Sequence, residues 1–255
     1  MTTPTIDPTN PDALLAELFD NDQSVKDQFR AQLSEPLHEL CNALANCFHV
    51  VGLINDMANR AETQRNALVS GFAVGVLDDL VTSTKLLLTG KLAAAGNLMR
   101  QVIEGIAISI LCSTDDLLVL DMNKKQGMVR ARYWEKLWAD DRRTEGVRAV
   151  QQLEWNAVAL GIAAGAVQQL RRAKKHYNAF SHCGKVTIGS RMMLGEVGQI
   201  HLGGLFDAAK LDDYKAELTG RINLCRVLPP FLERLLASMS PPAARAAEAR
   251  PPQTT

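Results

Sequence analysis

Proline placement constrains this chain more than any other feature. The ten prolines fall at positions 4, 8, 11, 36, 229, 230, 241, 242, 251 and 252, so residues 37–228 contain none. At an average usage of roughly 5%, nine or ten would be expected in a stretch of that length. Proline lacks the N–H that an inner helical turn needs and collides with the preceding turn. A long segment that avoids it, rich in Ala and Leu and poor in β-branched alternation, reads as almost wholly α-helical. The sequence therefore predicts an all-α fold with more than 60% helix, against a base rate of about one-third. Apolar residues spaced three and four apart divide the chain into about six long helices near 36–60, 64–89, 91–113, 115–141, 144–182 and 208–238. Any sheet is expected to be confined to a short pair within 183–206.

The boundaries follow from composition. Residues 11–238 read as one helical bundle domain, a size within the single-domain range. Residues 1–10 and 239–255, Thr/Pro-rich and Pro/Ala/Arg-rich, are expected to form disordered tails, because they bury too little apolar surface to offset ordering entropy. Between the last two helices, residues 183–206 carry glycines at 184, 189, 195, 198, 203 and 204, one long Gly-rich loop. Loops of that length in a compact domain tend to be functional.

Lys+Arg and Asp+Glu each number 28, which removes the large single-sign field of a nucleic-acid coat protein. Any anion site must be local. Five cysteines (Cys41, Cys47, Cys112, Cys183, Cys225) without a CxxC pair fit reduced thiols, and neither a disulfide framework nor a metal site is expected. The N-terminus has no basic and apolar leader, and no uncharged run reaches the roughly 18 to 20 residues of a membrane span. A cytoplasmic protein with no membrane partner and no cofactor is the expectation. There is no Walker-type loop, no GxGxxG and no GxSxG elbow.

Two polar features interrupt apolar helix faces. Asn97, Arg100 and Glu104, spaced three and four apart, form a stripe on a segment otherwise rich in Ala, Leu, Met, Val and Ile. The stripe is either a solvated Arg–Glu pair or the wall of an interior polar pocket. From Trp155 to Gly195 there are six basic residues and two histidines with no Asp or Glu, whereas residues 1–40 carry eight acids against Lys26 and Arg30. On a helical projection Leu170, Ala173, Tyr177 and Phe180 form the core stripe, and Arg171, Lys175, Asn178 and His182 lie opposite. His176 lies one turn from Arg172, and Ser181 borders the core side.

The helix reading AAGNLMRQVIEG, followed some eighty residues later by Tyr177-Asn178-Ala179-Phe180-Ser181-His182 and a Gly-rich loop, resembles bacterial all-α proteins of the HEPN-like kind (higher-eukaryote and prokaryote nucleotide-binding). The resemblance covers Lys91–Cys112 and Arg171–Gly204. It implies a helical bundle, a homodimer, and in the toxin and defence members a metal-independent ribonuclease with an Arg, four to six residues, then His motif. Arg171 to His176 satisfies that spacing, with Arg172 where the family commonly has a polar uncharged or acidic residue. The implied catalytic groups are His176 or His182, moving a proton at a 2′-hydroxyl or leaving oxygen, and Arg171 or Arg172, clamping phosphate. Three functional classes stay open. One is this phosphate-binding protein, with RNA as first candidate ligand. The second is a non-catalytic binding or interaction module with a polar pocket around Arg100, Glu104, Ser181 and His182; the candidate ligand-binding residues are Asn97, Arg100, Glu104, Lys175 and Ser181. The third is an interaction protein whose acidic N-terminal segment covers the basic face.

Overall fold

The computed structural model describes residues 9–123, 127–192 and 204–240. Helix makes up 77% of it, with nine α-helices and one two-stranded sheet among the described residues. The all-α class and the helix content follow the sequence reading; the division into elements differs. In chain order these are α1 (Pro11–Leu18), α2 (Gln23–Ala61), α3 (Gln64–Leu88), α4 (Leu92–Cys112), β1 (Leu117–Asn123), β2 (Gly127–Arg132), α5 (Tyr133–Trp138), α6 (Gly146–Asn156), α7 (Ala164–Ser181), α8 (Lys185–Gly189) and α9 (Leu211–Met239).

Helix α4 is the axis of the bundle. Ala95, Met99, Val102, Ile103, Ile106, Ala107, Ile110 and Leu111 are all buried, so its apolar surface wraps nearly the whole cylinder, as befits a helix enclosed by others. It packs against α3, α6 and α7, while α2 lies along α9 and α3. The α3–α4 turn is closed by glycine. Gly90 has φ +72°, its N–H donates to Leu87 C=O, and Lys91 N–H donates to Leu86 C=O, the double closure of a left-handed helix end. A Cβ at Gly90 would come within 2.2 Å of the Leu205 backbone, so the segment before α9 seats directly on this turn.

Three corrections to the predicted elements have physical causes. The helix predicted at 115–141 is an antiparallel β1–β2 hairpin followed by the short α5. A short apolar run such as Leu117–Leu120 suits helix or strand equally by period, and here tertiary partners decide. Asn156 on α6 accepts from Val119 N–H at 2.8 Å and donates to Val119 C=O at 2.9 Å, and Gln152 donates to Leu120 C=O at 2.8 Å. These side-chain amides act as a substitute strand along the free edge of β1. The helix predicted at 144–182 breaks after Asn156, where Gly161 adopts φ +61°, and resumes as α7. Helix α2 starts at Gln23, well before Pro36, and accommodates that proline by a kink at Leu33 (φ −129°), since the ring displaces the carbonyl one turn earlier. Helix α9 follows the helix predicted at 208–238 and, as that prediction requires, runs through Pro229 and Pro230. The Cys225 carbonyl, deprived of the N–H that Pro229 lacks, accepts the Cys47 thiol of α2 at 3.3 Å.

Within the expected Gly-rich loop, residues 185–189 form α8; Gly195, Gly198 and Gly203 lie outside the described residues, as do most of both expected tails. Helices α2 and α3 are long and apolar enough to cross a bilayer by length and composition. Both give residues to the interior, Leu40, Cys47 and Ile54 from α2 and Val69, Ala73 and Leu77 from α3, as the inner helices of a bundle do.

Glycines on two faces predict opposite outcomes. A Cβ at Gly96 would meet the Phe180 ring of α7 at 2.3 Å, whereas one at Gly75 meets nothing within 4 Å. Gly96→Ala should lower unfolding free energy by about 1–3 kcal/mol through overpacking, and Gly75→Ala should raise it by about 0.5–1 kcal/mol through helix propensity. Urea denaturation of the two variants measures both signs.

Candidate functional site: the cleft between α7 and α9

The core stripe of α7 sets its rotation. Tyr177 is buried, with Leu170, Ala173 and Phe180 half-buried against the core, as the periodicity predicts. Arg172 and His176, one turn apart, then border a cleft of about 380 Å³ shared with α9. Met99 and Ile103 of α4 form its floor, and Glu217 and Gly220 of α9 its far wall.

His176 Nε2 lies 2.9 Å from Glu217 Oε1. The other carboxylate oxygen of Glu217 accepts from Arg221 Nη1 at 2.7 Å and from the Tyr177 hydroxyl at 3.4 Å. Arg221 is fully buried and also donates from Nη2 to Ser83 Oγ at 2.9 Å; Ser83 in turn donates to Ala95 C=O at 2.8 Å. A continuous polar relay thus joins α4 and α3 through α9 to the imidazole on α7. Arg221 sits on the apolar stripe of α9 with Tyr214, Leu218, Cys225 and Leu228, all buried.

The charge states follow from these partners. Burial alone would push the Glu217 carboxyl up, but the His176 hydrogen bond and the Arg221 guanidinium together hold it below its ordinary range. The hydrogen bond to Glu217 raises the His176 imidazole above its ordinary value. Burial, and then the neighbouring Glu217, push the Tyr177 phenol up. An ionised carboxylate can only accept, so the imidazole proton sits on Nε2 and Nδ1 is left as the basic nitrogen. The stabilisation tied to the raised His176 is present below the ordinary imidazole pKa and lost as pH rises through the folded value. That tied to the lowered Glu217 is present above the ordinary carboxyl pKa and lost as pH falls through the folded value. The pair is therefore complete between the two. Arg221 neutralises Glu217, and Arg172 makes no ion pair among the described residues, so the cleft carries net positive charge.

The remaining candidates separate. Arg171 points away from the cleft to an exposed ion pair with Glu154 at 2.7 Å. Lys174 is drawn to Glu104 at 3.5 Å and to the Val147 carbonyl. Lys175 is exposed. The stripe on α4 faces the interior: Glu104 is only 7% exposed, Arg100 Nε lies 3.4 Å from it, and Arg100 Nη1 donates to Ser181 Oγ at 3.0 Å. The Glu104 carboxylate also abuts Gly146 at the start of α6, where the helix dipole favours negative charge. Asn97 is half-buried on the same helix. Arg100, Glu104 and Ser181 therefore converge and pair by charge, with Arg100 Nε and Glu104 Oε1 buried without a hydrogen bond among the described residues. His182 ends α7 with an exposed side chain whose imidazole makes no hydrogen bond among the described residues. Among the described residues the acidic N-terminal segment makes no ion pair with α7: Asp22 binds Lys91 at 2.8 Å, and Glu39 binds Arg226.

Sequence reasoning missed Glu217 and Arg221, which complete the site. Their signal was legible: an arginine at a core position of an otherwise apolar stripe requires a buried acceptor, and Glu217 stands one turn before it. Removing Arg221 leaves Glu217 enclosed without its counter-ion. Arg221→Met should cost about 3–5 kcal/mol in urea unfolding, and Arg221→Met with Glu217→Gln should recover most of it. A single-variant loss under 1 kcal/mol would show that the relay is structurally idle. No family model, curated protein or solved structure matches the chain, and the functional reading accordingly rests on its residues.

Proposed function

We propose that this protein binds phosphate-bearing ligands at the α7–α9 cleft, with RNA the first polymer to test, and that His176 supplies acid–base chemistry there. The observation that carries the reading is the His176–Glu217 contact of 2.9 Å backed by buried Arg221. A carboxylate that fixes one imidazole nitrogen orients the other for proton transfer and strengthens its basicity. Arg172, one turn away and without an ion pair among the described residues, supplies a bidentate cation for phosphate oxygens. Exposed Lys175 extends the positive surface.

With RNA, His176 Nδ1 would take the 2′-hydroxyl proton as that oxygen attacks phosphorus. The 5′-oxygen would leave with a proton from a second acid. His182 sits six residues further along α7, on a different face from His176, so that acid is assigned to His176 of a second copy. This fits the homodimer that the HEPN-like resemblance implies, and the chemistry requires no metal. The resemblance pairs Arg171 with His176; in this fold Arg172 holds the position beside the imidazole. The alternative of a polar pocket around Arg100, Glu104 and His182 has less support, because Arg100 is already committed to Glu104 and Ser181.

Binding of a short single-stranded RNA, measured at two salt concentrations, tests the reading. Affinity should fall with salt, and Arg172→Ala should flatten the log–log slope by about 0.7. Affinity should also decline as pH rises through the raised His176 value, and His176→Ala should remove that dependence and any cleavage seen in the presence of chelator. Salt-independent binding, or cleavage that survives His176→Ala, would overturn it.

A further inference from the structure

The cleft at His176 does not end at its own walls. Ile103, Ala173 and Leu224 line both this cleft and a second, larger chamber of about 870 Å³, so the two are successive compartments of one groove between α7 and α9. Helix α4 floors the whole length, from Met99 under His176 through Ile103 and Ile106 to Ile110. At 1.5 Å per residue that floor runs about 16 Å.

The two ends differ in chemistry. The chamber is walled mainly by aliphatic side chains, among them Ile106, Ile110, Leu170, Val227 and Leu228, with Phe231 the one aromatic ring and Gln169 and Asn223 the uncharged polar groups in its lining. Its arginines are already occupied: Arg226 by Glu39, and Arg234 by the Leu160 and Gly161 carbonyls. The cationic group without an ion pair among the described residues lies at the other end, on Arg172. Small residues on the α7 side, Ala163, Ala166 and Ala173, leave the volume unfilled, in contrast to the close packing of protein interiors. A nucleobase would call for stacking rings and partners for its polar edges. An aliphatic wall of this volume, within the range of small-molecule sites, suits an alkyl chain.

We propose that the groove binds a phosphate monoester of a long aliphatic alcohol, with the phosphate at Arg172 and His176 and the chain along α4 into the chamber. This rests on the phosphate reading of the His176 cleft and names the ligand class that the whole groove fits. Charge complementarity places the head, because the free cation and the raised imidazole stand at one end only. The aliphatic lining places the tail.

Calorimetric titration of the full chain with methyl, hexyl and decyl phosphate, each below its micelle concentration, tests the assignment. Inorganic phosphate, decanol and a short RNA complete the set. Each methylene taken into the chamber should raise affinity about fourfold until the chamber is full, with an increasingly negative heat-capacity change. Val227 is 59% exposed at the chamber rim, so Val227→Asp should fold and should abolish the gain with chain length. Arg172→Ala should weaken all the phosphates and leave decanol unaffected. Equal affinity for methyl and decyl phosphate, with phosphate or RNA still bound, would overturn the chain assignment while the phosphate reading stands. Decanol binding as tightly as decyl phosphate would overturn the placement of the head. If neither phosphate, its esters nor RNA bind, both readings fall together.

Discussion

The buried guanidinium of Arg221 is the interaction on which the rest of this fold depends. A fully enclosed cation costs several kcal/mol in desolvation unless its donors find acceptors. Arg221 finds them for both terminal nitrogens, at the Glu217 carboxylate, the Glu217 carbonyl and Ser83, and only its Nε lacks one among the described residues. Because Ser83 belongs to α3 and donates its hydroxyl to the α4 backbone, satisfying Arg221 fixes α9 against the helix pair at the centre of the bundle. Glu217, held by Arg221, then captures His176 and fixes α7. A hydrophobic residue at position 221 would pack α9 equally well, but would leave Glu217 without a reason to be ionised and His176 without an oriented ring. Specificity of arrangement, more than net stability, is the expected return on a buried ion pair of this kind.

Legibility in the sequence tracked how local each determinant was. The missing prolines and the spacing of three and four announced helices α3, α4 and α9 because helix formation is a near-neighbour property. The β1–β2 hairpin was illegible for the opposite reason. Leu117–Leu120 has no decisive period, and what makes it a strand is a pair of amides, Asn156 and Gln152, more than thirty residues away. Prolines mark helix ends only where no tertiary partner takes up the carbonyl they strand, and Cys47 does so for Pro229. At the site, the projection of α7 placed Tyr177 and Phe180 inward and left His176 at a boundary, which is where the cleft opens. It could not choose between Arg171 and Arg172, because the choice is made by Glu154 and by the position of α9. The Glu104 stripe was undecided from sequence alone, since an i,i+4 pair looks the same on a wet or a dry face; Lys174 and the start of α6 settle it as interior.

Helix α4 carries the consequences of both polar clusters. On one flank its Ala95 carbonyl accepts from Ser83, which itself accepts from Arg221. On another it presents Arg100 and Glu104 to α6 and α7. Its Met99, Ile103, Ile106 and Ile110 floor the groove between. A helix so enclosed has little freedom to shift, so the two polar clusters and the apolar floor keep a fixed register with one another. That rigidity is what allows a cation at one end of the groove and an aliphatic chamber at the other to act on a single molecule.

Helix α7 makes the final point about charge. It contains no carboxylate, so every counter-ion it has is tertiary: Glu154 from α6 for Arg171, Glu104 from α4 for Lys174, and Glu217 from α9 for His176. The basic residues on three sides of the helix are thereby spent on docking it. Exposed pairs of the Arg171 type contribute a few tenths of a kcal/mol, whereas those that enclose Glu104 and Glu217 specify where α7 sits. Of the four cations from Arg171 to Lys175, Arg172 and Lys175 have no ion pair among the described residues, and Arg172 is the one at a cleft. Of these two, Arg172 stands one helical turn from the imidazole that Glu217 orients.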